Sequence, residues 1–206
     1  MRNYLSVITN SSNAFLTKKE ALMFLLHFIG DIHQPLHTEN ASRGGNDIDV
    51  RFGNSNKSLH AVWDTEIVLK HRGLRRNPSN NEEKEAAAKW ANELHSAAQA
   101  RGVVVEGECN DVRNPQACAL RWATEANRWI CRYVLKNGVE WLEDERNDLA
   151  LGYYDGAVPV VGELVETAGV RLGVWLNAVA AAHRSHEDFV VQTARENGEL
   201  VEGQEL

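Results

Sequence analysis

His27 and Asp31 stand four residues apart in His27-Phe28-Ile29-Gly30-Asp31, and His60 and Asp64 repeat that spacing in His60-Ala61-Val62-Trp63-Asp64. On an α-helix this separation sets two side chains about 40° apart, one turn above the other, so both reach one ion. His37 follows Pro35, which ends the first helix and lets the chain turn toward a second site. Imidazole nitrogens and carboxylate oxygens without thiolate suit zinc in a hydrolytic site that keeps one position open for water. His27, Asp31, His37, His60 and Asp64 are therefore the candidate metal ligands. A lone histidine on a helix is more often packed or solvated, but a doubled His-x3-Asp pair is a far stronger signal. Asp31 also interrupts an apolar stretch, where an uncompensated carboxylate would cost several kcal/mol. His71, His95, His183 and His186 have no comparable carboxylate arrangement, and His33 reads as structural or as a neighbour that orients a ligand.

The elements that must position these residues are helical. Thr17 and Glu20 form a capping-box pattern, and Leu22, Leu25, Leu26, Ile29 and Ile32 then recur at helical spacing until Pro35. A polar loop runs from Thr38 to Ser58, interrupted by the alternating Ile48, Val50 and Phe52, which predict a short hairpin around Gly53-Asn54. Helical spacing resumes at Leu59 with Val62, Trp63, Ile67 and Val68. Further helices are expected over about 81–100 and 117–135, and a last block over about 148–183, broken near Pro159. The reading is one all-α domain over residues 1–185, with a short β-hairpin between the two ligand-bearing helices. An acidic, unpatterned tail, expected to be disordered, follows over 186–206.

The formal net charge of −7 argues against a protein that grips nucleic acid through a basic surface, which leaves metal ions as the phosphate-facing charge. The one basic run, Lys70 to Arg76, is more often a solvated segment than a phosphate contact. No apolar stretch is long enough to span a bilayer. Three cysteines, Cys109, Cys118 and Cys131, leave at least one free or paired outside the chain; three buried free thiols is the other reading. No signal peptide follows Met1, so either the protein is intracellular or the chain begins after a lost upstream segment.

The run His27-Phe28-Ile29-Gly30-Asp31-Ile32-His33-Gln34-Pro35-Leu36-His37, then Arg43-Gly44-Gly45-Asn46-Asp47, then Leu59-His60-Ala61-Val62-Trp63-Asp64 resembles the core of the secreted single-strand-specific zinc nucleases. These are the S-one/P-one type, or class I nucleases, whose fold is similar to zinc-dependent phospholipase C. Ala168-Gly169-Val170-Arg171-Leu172 resembles that family's final helix. The resemblance implies a helical protein with a cluster of three zinc ions that cleaves single-stranded DNA and RNA to 5′-phosphate products and removes 3′-phosphates from nucleotides. It assigns His27 and Asp31 to a buried zinc pair, with Asp31 bridging two metals as the catalytic carboxylate, and His37, His60 and Asp64 to the third zinc. Gly44 and Asn46 fall where the family binds a nucleobase, and Cys131 would pair with a cysteine upstream. The implied protein is secreted, monomeric and not membrane-bound; Asn-x-Ser sequons at Asn10, Asn40 and Asn56 agree with a glycosylated chain.

The family's early Trp, His and Asp ligands have no counterpart before Leu26, and the alignment of motifs suggests a chain lacking the family's first third. Only the His37, His60 and Asp64 site is complete, so the expectation is one zinc held fully and weak or absent cleavage by this chain alone. Two alternatives remain: a non-catalytic zinc-binding remnant of the family, and a phospholipase C-like phosphodiesterase. The latter gives no reason for the loop from Arg43 to Asp47. Lost N-terminal helices would also leave apolar surface exposed.

Overall fold

In the computed structural model, which describes residues 17–102, 109, 112 and 114–196, the chain is mostly α-helical with one two-stranded antiparallel hairpin. Helix α1 spans Lys18–Asp31. Its start is the expected capping box: the Glu20 amide donates to Thr17 Oγ1 at 3.2 Å, and the Thr17 amide donates to Glu20 Oε2 at 2.8 Å. Along it Ala21, Leu25 and Ile29 are buried, while Met23, Phe24 and Leu26 are exposed.

A 3-10 turn, Pro35–Thr38, follows, and then a left-handed turn over Ser42–Gly45. Strands β1, Asp49–Phe52, and β2, Ser55–Ser58, pair in the register Asp49 to Ser58 and Phe52 to Ser55, so the turn is Gly53-Asn54 as the alternation predicts. Val50 and Phe52 face the core while Asp49 and Arg51 face solvent, which is what period-two alternation delivers.

Helix α2 is continuous over three segments: an α-helical turn Leu59–Ala61, a π-helical turn Val62–Glu66 and an α-helical turn Ile67–His71. The Ser58 hydroxyl caps it by accepting from the Ala61 amide at 3.2 Å. Helix α3 spans Asn80–Arg101, opened by a Ser79–Glu82 capping box and closed by Gly102 in the left-handed conformation, φ 64°. Helix α4, Pro115–Trp129, runs into a π-helical turn Ile130–Val134; the five-residue α5, Val139–Glu143, is too short to leave a periodic signature.

Helix α6 spans Gly152–Glu196 with Pro159 inside it, so the expected break near Pro159 does not occur. Proline there forfeits one helical hydrogen bond at a cost of about 3 kcal/mol. Ala157, Val160 and Val161 are buried on both sides of it, and their packing offsets that cost. The helical backbone also continues past Ser185, where the sequence pattern placed the start of the tail. Residues 197–206 of that tail, and Asn10, lie outside the described residues.

The chain divides into two units, residues 1–28 with 105–118 and 171–206, and residues 29–104 with 119–170. In the first, a disulfide joins Cys109 to Cys118, and the buried Trp175 donates its indole N–H to the Cys109 carbonyl at 2.9 Å. Cys131, in the second unit, is exposed and free, so the expected bond to an upstream cysteine is not made with either.

The core of the second unit is one cluster that includes Leu36, Val50, Phe52, Leu59, Val62, Trp63, Ile67, Tyr133 and Tyr153. Within it the Trp63 indole donates to the Tyr153 hydroxyl at 2.9 Å, which donates in turn to the Val134 carbonyl at 3.0 Å. Burial pushes the Tyr153 phenol upward, so it keeps its proton for that bond. No helix among the described residues is long and apolar enough to cross a membrane.

Candidate metal centre

Three of the five candidate ligands converge in the second unit: His37 from the 3-10 turn, and His60 and Asp64 from α2, with one ligand atom from each within 4.8 Å of the others. His60 Nε2 lies 3.1 Å from Asp64 Oδ2, and His37 Nε2 lies 3.2 Å from Asp64 Oδ1. The two imidazoles stack with centroids 5.1 Å apart. Asp64 sits in the π-helical turn, a local widening frequent at functional positions. The opposite side of the same helix buries Leu59, Val62, Trp63 and Ile67, which fixes the rotation that presents His60 and Asp64 together.

The second imidazole nitrogen of His60 is also committed. Its Nδ1 is 2.7 Å from the Gly44 carbonyl oxygen, so Nδ1 carries the proton and Nε2 is left as the lone-pair donor. That carbonyl is aimed by the left-handed turn, in which Ser42, Arg43, Gly44 and Gly45 have φ of 49°, 51°, 64° and 79°. Arg43 holds its unfavourable conformation with a guanidinium locked on Asp47, Nε to Oδ1 at 2.9 Å and Nη2 to Oδ1 at 2.9 Å. Gly44 cannot be replaced cheaply, because a Cβ would lie 2.6 Å from the Leu36 carbonyl oxygen.

Asp31 reaches the edge of the group, its Oδ1 3.6 Å from His37 Nδ1. Its side chain is 40% exposed, so solvent supplies part of the compensation that its apolar sequence neighbours had assigned to a cation. His27 lies one turn earlier on α1 and is exposed; the gathered group does not include it. An open cleft lined by Asp31, Leu36, His37, Glu39, Arg43 and His60 fronts the ligands. Backbone amides of Ala41 and Asn40 hold the Glu39 carboxyl below the usual carboxylate range, so it faces that cleft ionised. Asn46 is exposed, with its amide donating to the Arg43 carbonyl at 2.9 Å.

His33 is buried, Nδ1 at 2.7 Å from the Ile29 carbonyl and its ring against Trp122, which bears out a structural role. The basic run is spoken for: Arg72 pairs with Glu93, Arg75 with Glu82, Arg76 with Glu66, and Lys70 donates to the Ala150 carbonyl. The residue that sequence reasoning missed is Gln34, whose amide donates to Asp64 Oδ1 at 2.7 Å. A polar residue directly before Pro35, at a helix-capping position, was the available signal.

The chain is similar in sequence to known proteins. The family described as S1/P1 Nuclease matches residues 1–181. Nuclease S1 of Aspergillus oryzae is 33% identical over 181 residues, covering 88% of this chain and 61% of that protein. Nuclease P1 of Penicillium citrinum is 33% identical over 184 residues, 86% and 64%. Endonuclease 1 of Arabidopsis thaliana is 36% identical over 169 residues, 78% and 49%. The chain thus spans 49% to 64% of the length of these relatives. A family match over all of the second unit and most of the first places the chain in the S1/P1 nuclease family.

Proposed function

We propose that this chain carries the metal-holding part of a secreted zinc-dependent endonuclease and 3′-nucleotidase, which hydrolyses phosphodiester bonds of single-stranded DNA and RNA to 5′-phosphate products. The observation that carries this reading is the convergence of His37, His60 and Asp64 in a member of a nuclease family. The donors fit zinc. Tetrahedral bonds of about 2.0–2.1 Å put ligand atoms roughly 3.3 Å apart, close to the 3.1 and 3.2 Å between the histidine nitrogens and the Asp64 oxygens.

Zinc, when bound, supplies a water of lowered pKa and positive charge for phosphate oxygens. The chain's own residues do the rest. The Gly44 carbonyl keeps His60 in the tautomer that donates from Nε2. Asp31 and His27 serve as ligands of further zinc ions, with Asp31 the catalytic carboxylate. Gly44 and Asn46 border the place of a nucleobase, and a base that must enter such a place is available only from an unpaired strand. With a net charge of −7, metal rather than basic side chains must meet the phosphates.

A non-catalytic zinc-binding protein is the second reading, favoured because the described residues gather one such ligand group. The test is zinc per chain by elemental analysis, with hydrolysis of single-stranded DNA with and without chelator. Several zincs and chelator-sensitive cleavage support the enzyme; about one zinc without cleavage supports the second reading. His60→Ala combined with Asp64→Ala should lower the zinc content by one, and unchanged stoichiometry would sink the ligand assignment.

A further inference from the structure

Gln34 ties together the two segments that supply the ligand group. It is the N-cap of the turn that carries His37, and its Oε1 accepts from the Leu36 amide at 2.5 Å. Its Nε2 donates to Asp64 Oδ1 at 2.7 Å, on a helix 30 residues further along the chain. An uncharged amide offers an acceptor at one end and a donor at the other. Asp64 Oδ1 thus carries the Gln34 donor and lies 3.2 Å from His37 Nε2, while Oδ2 points to His60 Nε2 at 3.1 Å.

We propose that Gln34 is a positioning residue for this metal centre: by holding Oδ1 it fixes the rotation of the Asp64 carboxylate between His37 and His60. The inference rests on reading His37, His60 and Asp64 as zinc ligands. Hydrogen bonds to a ligand's second atom both aim it and tune its basicity, and losing one typically weakens metal binding about 10- to 100-fold.

The test uses the full chain with Gln34→Leu, which removes both bonds, and Gln34→Glu, which keeps an acceptor for the Leu36 amide but offers Asp64 no donor. Zinc affinity is measured by chelator competition. Coordination number is read from the visible absorption of the cobalt-substituted protein, counting only the band that His60→Ala abolishes. The expected result for Gln34→Leu is about a 10- to 100-fold loss of zinc affinity, with the intense four-coordinate band weakening as Asp64 loses its fixed orientation. Gln34→Glu should weaken the same band although its turn keeps the cap. Wild-type affinity and spectrum in Gln34→Leu, or a wild-type spectrum in Gln34→Glu, would overturn the role and leave Gln34 a cap. Absence of the band in the wild-type protein would instead refute the metal reading itself.

Discussion

His60 Nδ1 and the Gly44 carbonyl oxygen lie 2.7 Å apart, across 16 residues of sequence. The contact couples a left-handed turn to an imidazole of the candidate metal centre, because the carbonyl can point at His60 only where Gly44 keeps φ at 64°. The turn thereby sets which nitrogen of His60 is free to donate.

Gly44→Ala should be costly for this reason. The left-handed conformation costs alanine about 1–2 kcal/mol. The new Cβ would in addition meet the Leu36 carbonyl at 2.6 Å, against backbone that cannot swing aside. Gly53→Ala is the control, with φ of 62° but nothing within 4 Å of its Cβ. Thermal unfolding should fall clearly further for Gly44→Ala than for Gly53→Ala, and zinc affinity should drop only in the former. Equal effects on both would show that the close approach to Leu36 does not matter.

Tyr153→Phe should destabilise the second unit by about 1–3 kcal/mol, the usual cost of leaving buried partners unsatisfied. It strips the Trp63 indole N–H of its acceptor and the Val134 carbonyl of its donor. Trp63 directly precedes Asp64, so zinc affinity should weaken with it. A denaturation midpoint within error of wild type would show that water replaces the phenol at no cost.

The Asp144 carboxyl is drawn down to about 2, chiefly by the Arg146 side chain and then by the Arg146 amide. A carboxylate whose folded value is depressed adds stability that is present above its unfolded value of about 4 and is lost as pH falls toward about 2. The Asp144–Arg146 pair is exposed, so the effect is small and weakened by salt. Between pH 4 and 2 the wild-type protein should lose slightly more stability than Asp144→Asn in low-salt melts. Parallel curves would rule this contribution out.

Much of the centre was legible before folding. The His60–Asp64 spacing, the Thr17 capping box and the Gly53-Asn54 hairpin depend on spacing within one element, and an element's geometry converts spacing directly into direction. The Pro159 position was misjudged because a local penalty was weighed without the burial of Ala157, Val160 and Val161 that offsets it.

Composition and spacing left open which cysteines pair, since connectivity depends on how loops bring them together; the structure joins Cys109 to Cys118. What the sequence by itself determined is therefore the candidate metal-binding side chains and most of the helices that carry them. Only the tertiary structure decided that His37 meets His60 and Asp64, that the Gly44 carbonyl meets His60 and that Gln34 meets Asp64. Those contacts span 16 to 30 residues, and their distances follow from a left-handed turn and a shared core rather than from any local period.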